Sequence, residues 1–237
     1  MTLQALIFDV DGTLAETERD GHRVAFNEAF RTAGLDWDWT PELYGELLAV
    51  TGGKERIRHY CQRFHPDFLT QPDVDGLIRR LHEGKTARYV ELVNRGALPM
   101  RPGVARLLAE ARAAGMRLAI ATTTSPDNVT ALLRASLAPD ADSWFEVIGA
   151  GDVVPAKKPA PDIYLWVLER LGLAAVECFA LEDSVNGLRA SLSAGLPTLI
   201  TEAQYTRGDD FTGALAVLPD LGTTTLEELR RLHGSRQ

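Results

Sequence analysis

The chain has 237 residues, 45% of them hydrophobic, and a formal charge of −8. That length allows one sizeable core plus an insert, or two small domains. No apolar stretch reaches membrane-spanning length, which argues against a membrane protein, and the acidic balance argues against a nucleic-acid binder, which would carry a basic face.

The first predicted element is a buried strand over residues 3–9. It starts too near the N-terminus to leave room for a signal sequence, so a cytoplasmic setting is expected. The strand ends in Phe8-Asp9-Val10-Asp11-Gly12-Thr13-Leu14. Residues two apart on a strand lean to one side, so Asp9 and Asp11 can serve one pocket. An Asp-Gly turn would account for Asp11 and Gly12 but not for Asp9. Two unpaired acids at the end of a buried strand require a cation or strong donors to answer them.

From residue 16 to residue 95 the apolar spacing becomes three and four, through Val24, Phe26, Ala29, Phe30, then Leu43, Leu47, then Ile57, Tyr60, Cys61, then Leu77, Ile78, Leu81. This predicts a helical insert whose two connections flank the acidic strand end. Trp37-Asp38-Trp39 is read as packing between its helices. Cys61 and Cys178 are far apart and form no metal-type pair, which fits buried, reduced thiols.

Beyond residue 101, apolar runs at 117–124, 145–152, 178–184, 196–201 and 214–218 alternate with helical patterns. Pro102 and Pro126 sit near helix starts, and Gly115, Gly172, Gly195 and Gly234 follow helix ends. The alternation predicts an α/β fold, a doubly wound, mostly parallel, Rossmann-like sheet: residues 1–15 and 96–237 form the core, with 16–95 inserted as a helical cap. The tail from 223 to 237 reads as a short amphipathic packing helix through Leu226, Leu229 and Leu232.

Ligands of such sheets bind off the carboxyl ends of the strands. The second strand ends in Thr122-Thr123-Thr124-Ser125 before Pro126, hydroxyls and free N–H groups suited to phosphate oxygens, although Ser125 also reads as a plain N-cap. After the third strand, Lys158 precedes Pro159 on extended backbone and can reach inward as a point charge, while Lys157 is expected to be solvated. The fourth strand ends in Glu182-Asp183-Ser184. Carboxylates from two strand ends, with a backbone carbonyl, are the hard oxygen ligands that Mg2+ prefers. Asp183 or Ser184 would merely cap the next helix if no other acids converged. In the insert, Thr51-Gly52-Gly53-Lys54-Glu55-Arg56 combines permissive glycines with two cations, suited to a second anionic group. A solvated helix start is the plainer reading of that segment.

With these motifs in this order, FDVDGTL, TTTS, KKPAPD and LEDSVNG, the chain resembles the haloacid dehalogenase superfamily of phosphotransferases over nearly its whole length. The resemblance implies Asp9 as nucleophile, Asp11 as general acid and base, Thr122 as phosphoryl binder with Thr123 and Thr124 beside it, and Lys158 as charge stabiliser. It also implies Mg2+ at Asp9, Asp11, Glu182 and Asp183. Dehalogenating members lack the second acid, so Asp11 favours phosphate chemistry. In such a mechanism Asp9 attacks while ionised and Asp11 begins protonated, so the two acids are expected to hold opposite protonation states.

The strings LAETERDGHRVAFNEAF, ELYGELLAVTGGKERI and KKPAPDIY further resemble the CbbY subgroup of the β-phosphoglucomutase-like branch. That implies a small-molecule sugar bisphosphate as substrate, with loss of the 1-phosphate of xylulose 1,5-bisphosphate, an inhibitor of Rubisco. The link to Rubisco runs through that inhibitor and implies no direct contact. One phosphate would sit at Asp9 and the other under Lys54 and Arg56 beside Gly53, with Glu16, His22 and Tyr44 meeting sugar hydroxyls. A sugar-phosphate mutase shares fold, metal and nucleophile and is the alternative. A non-catalytic binding protein would have lost one of these groups, and a nucleotide-binding redox enzyme would show a GxGxxG after the first strand.

Overall fold

A computed structural model describes residues 2–96 and 98–235, so Met1, Ala97, Arg236 and Gln237, which fall within the expected core and tail ranges, lie outside the described residues. Six strands, β1 (Ala5–Phe8), β2 (Arg117–Ala121), β3 (Val147–Gly149), β4 (Cys178–Glu182), β5 (Thr198–Thr201) and β6 (Ala216–Leu218), form one sheet in the order β3-β2-β1-β4-β5-β6. Every pairing is parallel. β3 and β6 are shorter than the apolar runs that announced them, being confined to the sheet edges, where only one neighbour extends the ladder.

Alternation along the central strands divides the core into two layers. Leu6, Phe8, Leu118, Ile120, Phe179 and Leu181 point into one apolar cluster, and Ala5, Ile7, Ala119, Ala121, Cys178 and Ala180 into the other. The first layer is covered by α5 (Val104–Ala113), α6 (Pro126–Ser136) and α9 (Leu226–Gly234), through Leu107, Leu108, Val129, Leu133 and Leu229. The second is covered by α7 (Asp162–Leu171) through Ile163, Tyr164 and Val167, and by α8 (Val185–Ser193) through Ala190. Asp9 continues the parity of Ala5 and Ile7, so its side chain leaves the sheet on the α7 side.

Between β1 and β2 lie α1 (Arg23–Thr32), α2 (Pro41–Leu47), α3 (Gly53–Phe64) and α4 (Val74–Asn94), here called the cap. They enclose their own cluster, in which Trp39 packs its ring against Phe26, Phe30, Tyr44 and Tyr60, and Trp37 against Phe30, Tyr60 and Phe68. Both tryptophans are therefore packing residues. The cap is not fully separate, since Ala25, Tyr89 and Val93 join the first core layer and α4 lies along α6. Cys61 is buried in the cap and Cys178 under the sheet, both as free thiols.

The chain enters the cap through a π-helical turn, Glu18–His22, where the His22 N–H reaches back to the Thr17 carbonyl at 2.7 Å. One extra residue in the turn rotates the helix after it, and such turns are frequent at functional positions. Arg101, buried at the return from the cap, donates to the carbonyls of Gly12, Thr201, Glu202 and Pro219. It thereby ties the loop after β1 to the loops after β5 and β6. Among the described residues, no helix is long and apolar enough to cross a membrane.

Candidate active site

The sheet order reverses between β1 and β4, so the ends of these two strands open a crevice at the switch point. Phe8 pairs with Leu181, and the Asp9 N–H donates to the Leu181 carbonyl at 2.9 Å, which puts Asp9 level with Glu182. A cavity of about 510 Å³ lies above them, walled by the core on one side and by the cap residues Glu18, Gly45, Thr51 and Arg56 on the other.

Lys158 spans the crevice floor. Its Nζ donates to Asp9 Oδ1 at 2.7 Å and to Glu182 Oε1 at 2.5 Å, and it is 5% exposed. Burial opposes its charge, but Asp9 and Glu182 outweigh this and hold the ammonium well above its ordinary pKa. Glu182 also accepts from the Tyr164 hydroxyl at 2.7 Å and from the Asp183 N–H at 3.1 Å, so both its oxygens are engaged. The Asp183 carboxylate, by contrast, accepts no hydrogen bond among the described residues although it is only 6% exposed. Ser184 caps α8 by accepting from the Gly187 N–H at 3.1 Å.

Asp9, Glu182 and Asp183 each offer an oxygen within 4.8 Å of the others. Burial, with Glu182 and Asp11 nearby, lifts Asp9 to about 7 against the pull of Lys158. Burial, then Glu182 and Asp9, push Asp183 well above the carboxylate range. One lysine does not balance three buried acids, and an unpartnered carboxylate beside Asp9 is the donor set a hard divalent cation takes. The residues present therefore fit Mg2+. Asp11 was expected at the metal as well; its carboxylate is not in this cluster, having other partners, which leaves its backbone carbonyl as the atom it could offer.

Those partners are Thr17 Oγ1 and His22 Nε2, the latter 2.7 Å from Asp11 Oδ1. Lys85 Nζ lies 2.8 Å from His22 Nδ1, and Tyr89 stacks on the imidazole with ring centres 4.2 Å apart. An ammonium at Nδ1 leaves Nε2 as the ring's donor, so the hydrogen bond runs from His22 to Asp11. Burial would raise Asp11, but His22, Thr17 and Lys85 outweigh it and bring it down to about 2. Without a cation, Asp11 is therefore the stronger acid of the two, with the crowded Asp9 near 7 and the well-supplied Asp11 near 2.

Among the other expected residues, Thr122, Thr123, Glu16 and Arg56 line the cavity with Asp9, Asp11, Lys158 and Asp183. Thr124 turns back, its hydroxyl accepting from Asn128 at 3.1 Å. Ser125 stands at the N-cap of α6 with Pro126 behind it, yet its side chain makes no capping bond. Lys157 is not solvated; its Nζ donates to the Gly151 carbonyl and to Asp152 at 2.7 Å. Four expected cap residues do not line the cavity. Lys54 is paired with Asp152 at 2.5 Å across the cap–core seam, outside the cavity. A Cβ at Gly53 would meet the His82 ring, so that glycine serves helix packing. His22 stands behind Asp11, and Tyr44, fully buried, stands behind Glu18. Glu18, Thr17, Lys85 and Tyr164 were not foreseen. Thr17 and Glu18 lie inside the ETE string and Tyr164 closes KKPAPDIY, so the motifs contained them, but nothing in spacing sets them apart from their neighbours.

A family model described as haloacid dehalogenase-like hydrolase matches residues 3–195. The chain belongs to that family. This haloacid dehalogenase-like hydrolase is 54% identical to the plasmid-borne protein CbbY of Cupriavidus necator, over 93% of this chain and 86% of that one. It is 50% identical to protein CbbY of Rhodobacter capsulatus, over 98% of this chain and 100% of that one. Among solved structures, a mutant CbbY from Rhodobacter sphaeroides in complex with xylulose-(1,5)bisphosphate superposes with a TM-score of 0.88 at 46% identity, covering 96% of this hydrolase and 99% of that chain. The β-phosphoglucomutase of Clostridium difficile shares the fold, with a TM-score of 0.80 at 19% identity.

Proposed function

We propose that this hydrolase is a Mg2+-dependent phosphatase of sugar bisphosphates that removes the 1-phosphate of xylulose 1,5-bisphosphate, giving xylulose 5-phosphate and phosphate. The observation that carries the chemistry is the Lys158 bridge between Asp9 and Glu182 with the unpartnered Asp183 carboxylate alongside. The substrate reading is supported by the 46% identical CbbY structure in complex with that bisphosphate.

Asp9 and Asp183 would hold the cation, which when bound offsets the charge of the phosphoryl oxygens and favours ionised Asp9. Asp9 then attacks phosphorus in line, displacing the sugar oxygen and forming an aspartyl-phosphate. Lys158 and the Thr122 hydroxyl stabilise the charge that develops on the phosphoryl group. Asp11 is ionised in the resting arrangement, the form that takes a proton from water when the aspartyl-phosphate is hydrolysed. To protonate the leaving oxygen in the first half, it takes the His22 Nε2 proton as the Lys85 ammonium protonates Nδ1, and the proton that Asp11 later takes from water returns along the same path to Lys85. Arg56 meets the distal phosphate from the cap. Removing this bisphosphate would spare Rubisco its inhibitor without any contact between the proteins.

The test is incubation with xylulose 1,5-bisphosphate and Mg2+, following both products. Equimolar phosphate and xylulose 5-phosphate support the reading. An isomeric sugar bisphosphate without free phosphate would identify a mutase instead, and no reaction would overturn the substrate.

A further inference from the structure

The Tyr44 hydroxyl stands behind the cavity wall, between two residues that line it. It donates to Glu18 Oε2 at 2.5 Å and accepts from Arg56 Nη1 at 2.9 Å. Burial first, then Glu18, raise this phenol well above its ordinary pKa against the pull of Arg56, so it keeps the proton it donates. Its ring is locked among Phe26, Trp39 and Tyr205. Arg56 is fixed at its other end, Nε donating to the Val50 carbonyl at 3.3 Å, and is 7% exposed. Glu18 and Arg56 form no ion pair with each other, since the phenol stands between them.

Each keeps one group unengaged among the described residues, Glu18 Oε1 and Arg56 Nη2, and both side chains line the cavity. An open donor on a nearly buried guanidinium, beside an open acceptor on a half-buried carboxylate, leaves both available to a ligand in the cavity. A carboxylate repels phosphate, so the acceptor calls for a hydroxyl donor, while the guanidinium suits an anion.

Resting on the function proposed above, we propose that Glu18 accepts a hydrogen bond from a sugar hydroxyl, and that the Tyr44 hydroxyl is the spacer that stops Glu18 and Arg56 from collapsing into an ion pair. Glu18 is then a specificity-determining residue that rewards a polyol between the two phosphates, and Tyr44 is a positioning residue that never touches substrate. Without the phenol, the carboxylate and guanidinium close on each other and both are lost to the ligand.

The experiment compares xylulose 1,5-bisphosphate with 1,5-pentanediol bisphosphate, which has both phosphates and no other oxygen function, in the wild type, Glu18→Gln, Tyr44→Phe and the double variant. The same comparison is run with glucose 6-phosphate against hexyl phosphate. Glu18→Gln is expected to raise KM for the sugar substrates by about tenfold to a hundredfold, the worth of a hydrogen bond to a charged group, with kcat little changed and a smaller loss on the alkane substrates. Tyr44→Phe should show the same selective rise, and the double variant should be no worse than the worse single one. Equal losses on sugar and alkane substrates, or additive effects in the double variant, overturn the proposal. Failure of the wild type to turn over xylulose bisphosphate overturns the proposed function alone, because the glucose and hexyl pair still decides the role of Glu18.

Discussion

Lys158 reaches across the sheet to place its ammonium 2.7 Å from Asp9 Oδ1, joining two residues 149 positions apart in the chain. That contact orders the acids. With Lys158 on one side of Asp9 and Glu182 committed to the same lysine and to Tyr164, the remaining open carboxylate is Asp183.

Asp9→Asn removes the nucleophile and one cation ligand while keeping shape. Turnover should fall by about four orders of magnitude or more, as in other enzymes stripped of a nucleophile. The melting temperature in EDTA should hold or rise, because a crowded buried acid has gone. Residual turnover near that of the wild type would exclude Asp9 as nucleophile.

Lys158→Met should cost about a hundredfold to a thousandfold in kcat. It also strands Asp9 and Glu182 in a dry site, so a stability loss of about 3–5 kcal/mol is expected by denaturant titration. In Lys158→Met/Glu182→Gln, part of that stability should return while activity does not. Independent, additive stability effects would show that the two side chains are not coupled.

The pH dependence has a definite sign. Asp9 lies at about 7 against an ordinary 3.8, so without metal the folded state binds a proton that the unfolded state has released. Its contribution to stability is complete below about 4 and is lost as pH rises through 7. A cation must displace that proton, so Mg2+ should raise the melting temperature more at pH 8 than at pH 5.5. Calorimetry with Mg2+ and with EDTA at both values checks this, and a Mg2+ shift independent of pH would place the ion elsewhere.

Arg56 and Lys54 were expected to act together, and the structure separates them. Arg56→Ala should raise KM for a sugar bisphosphate far more than for p-nitrophenyl phosphate. Lys54→Ala, which breaks only an exposed pair with Asp152, should change either by a few-fold at most and less still at high salt. Equal effects of the two substitutions would restore Lys54 to the substrate site.

Arg101→Ala would strip hydrogen bonds from the carbonyls of Gly12, Thr201, Glu202 and Pro219. A loss of roughly 3 kcal/mol or more is expected from unpartnered buried acceptors. Chemical denaturation measures it, and a change under about 1 kcal/mol would mean that water replaces the guanidinium.

The amino-acid sequence by itself determined the parallel sheet, the helical insert and the acids at two strand ends. Strand alternation and helix punctuation are local, so Asp9, Thr122 and Asp183 could be placed at strand ends, and Lys158 in the loop after the third strand, from their neighbours alone. Only the tertiary structure decided what each charge faces. His22, Lys85, Tyr44 and Lys54 have helical surroundings that look alike in one dimension, and one extra residue in the turn at Glu18–His22 turns His22 onto Asp11. The protonation of Asp9 and Asp11 was likewise beyond local reading, because electrostatic energy depends on distances through space and on burial, and the groups that set it come from β4, α4 and the loop before α7.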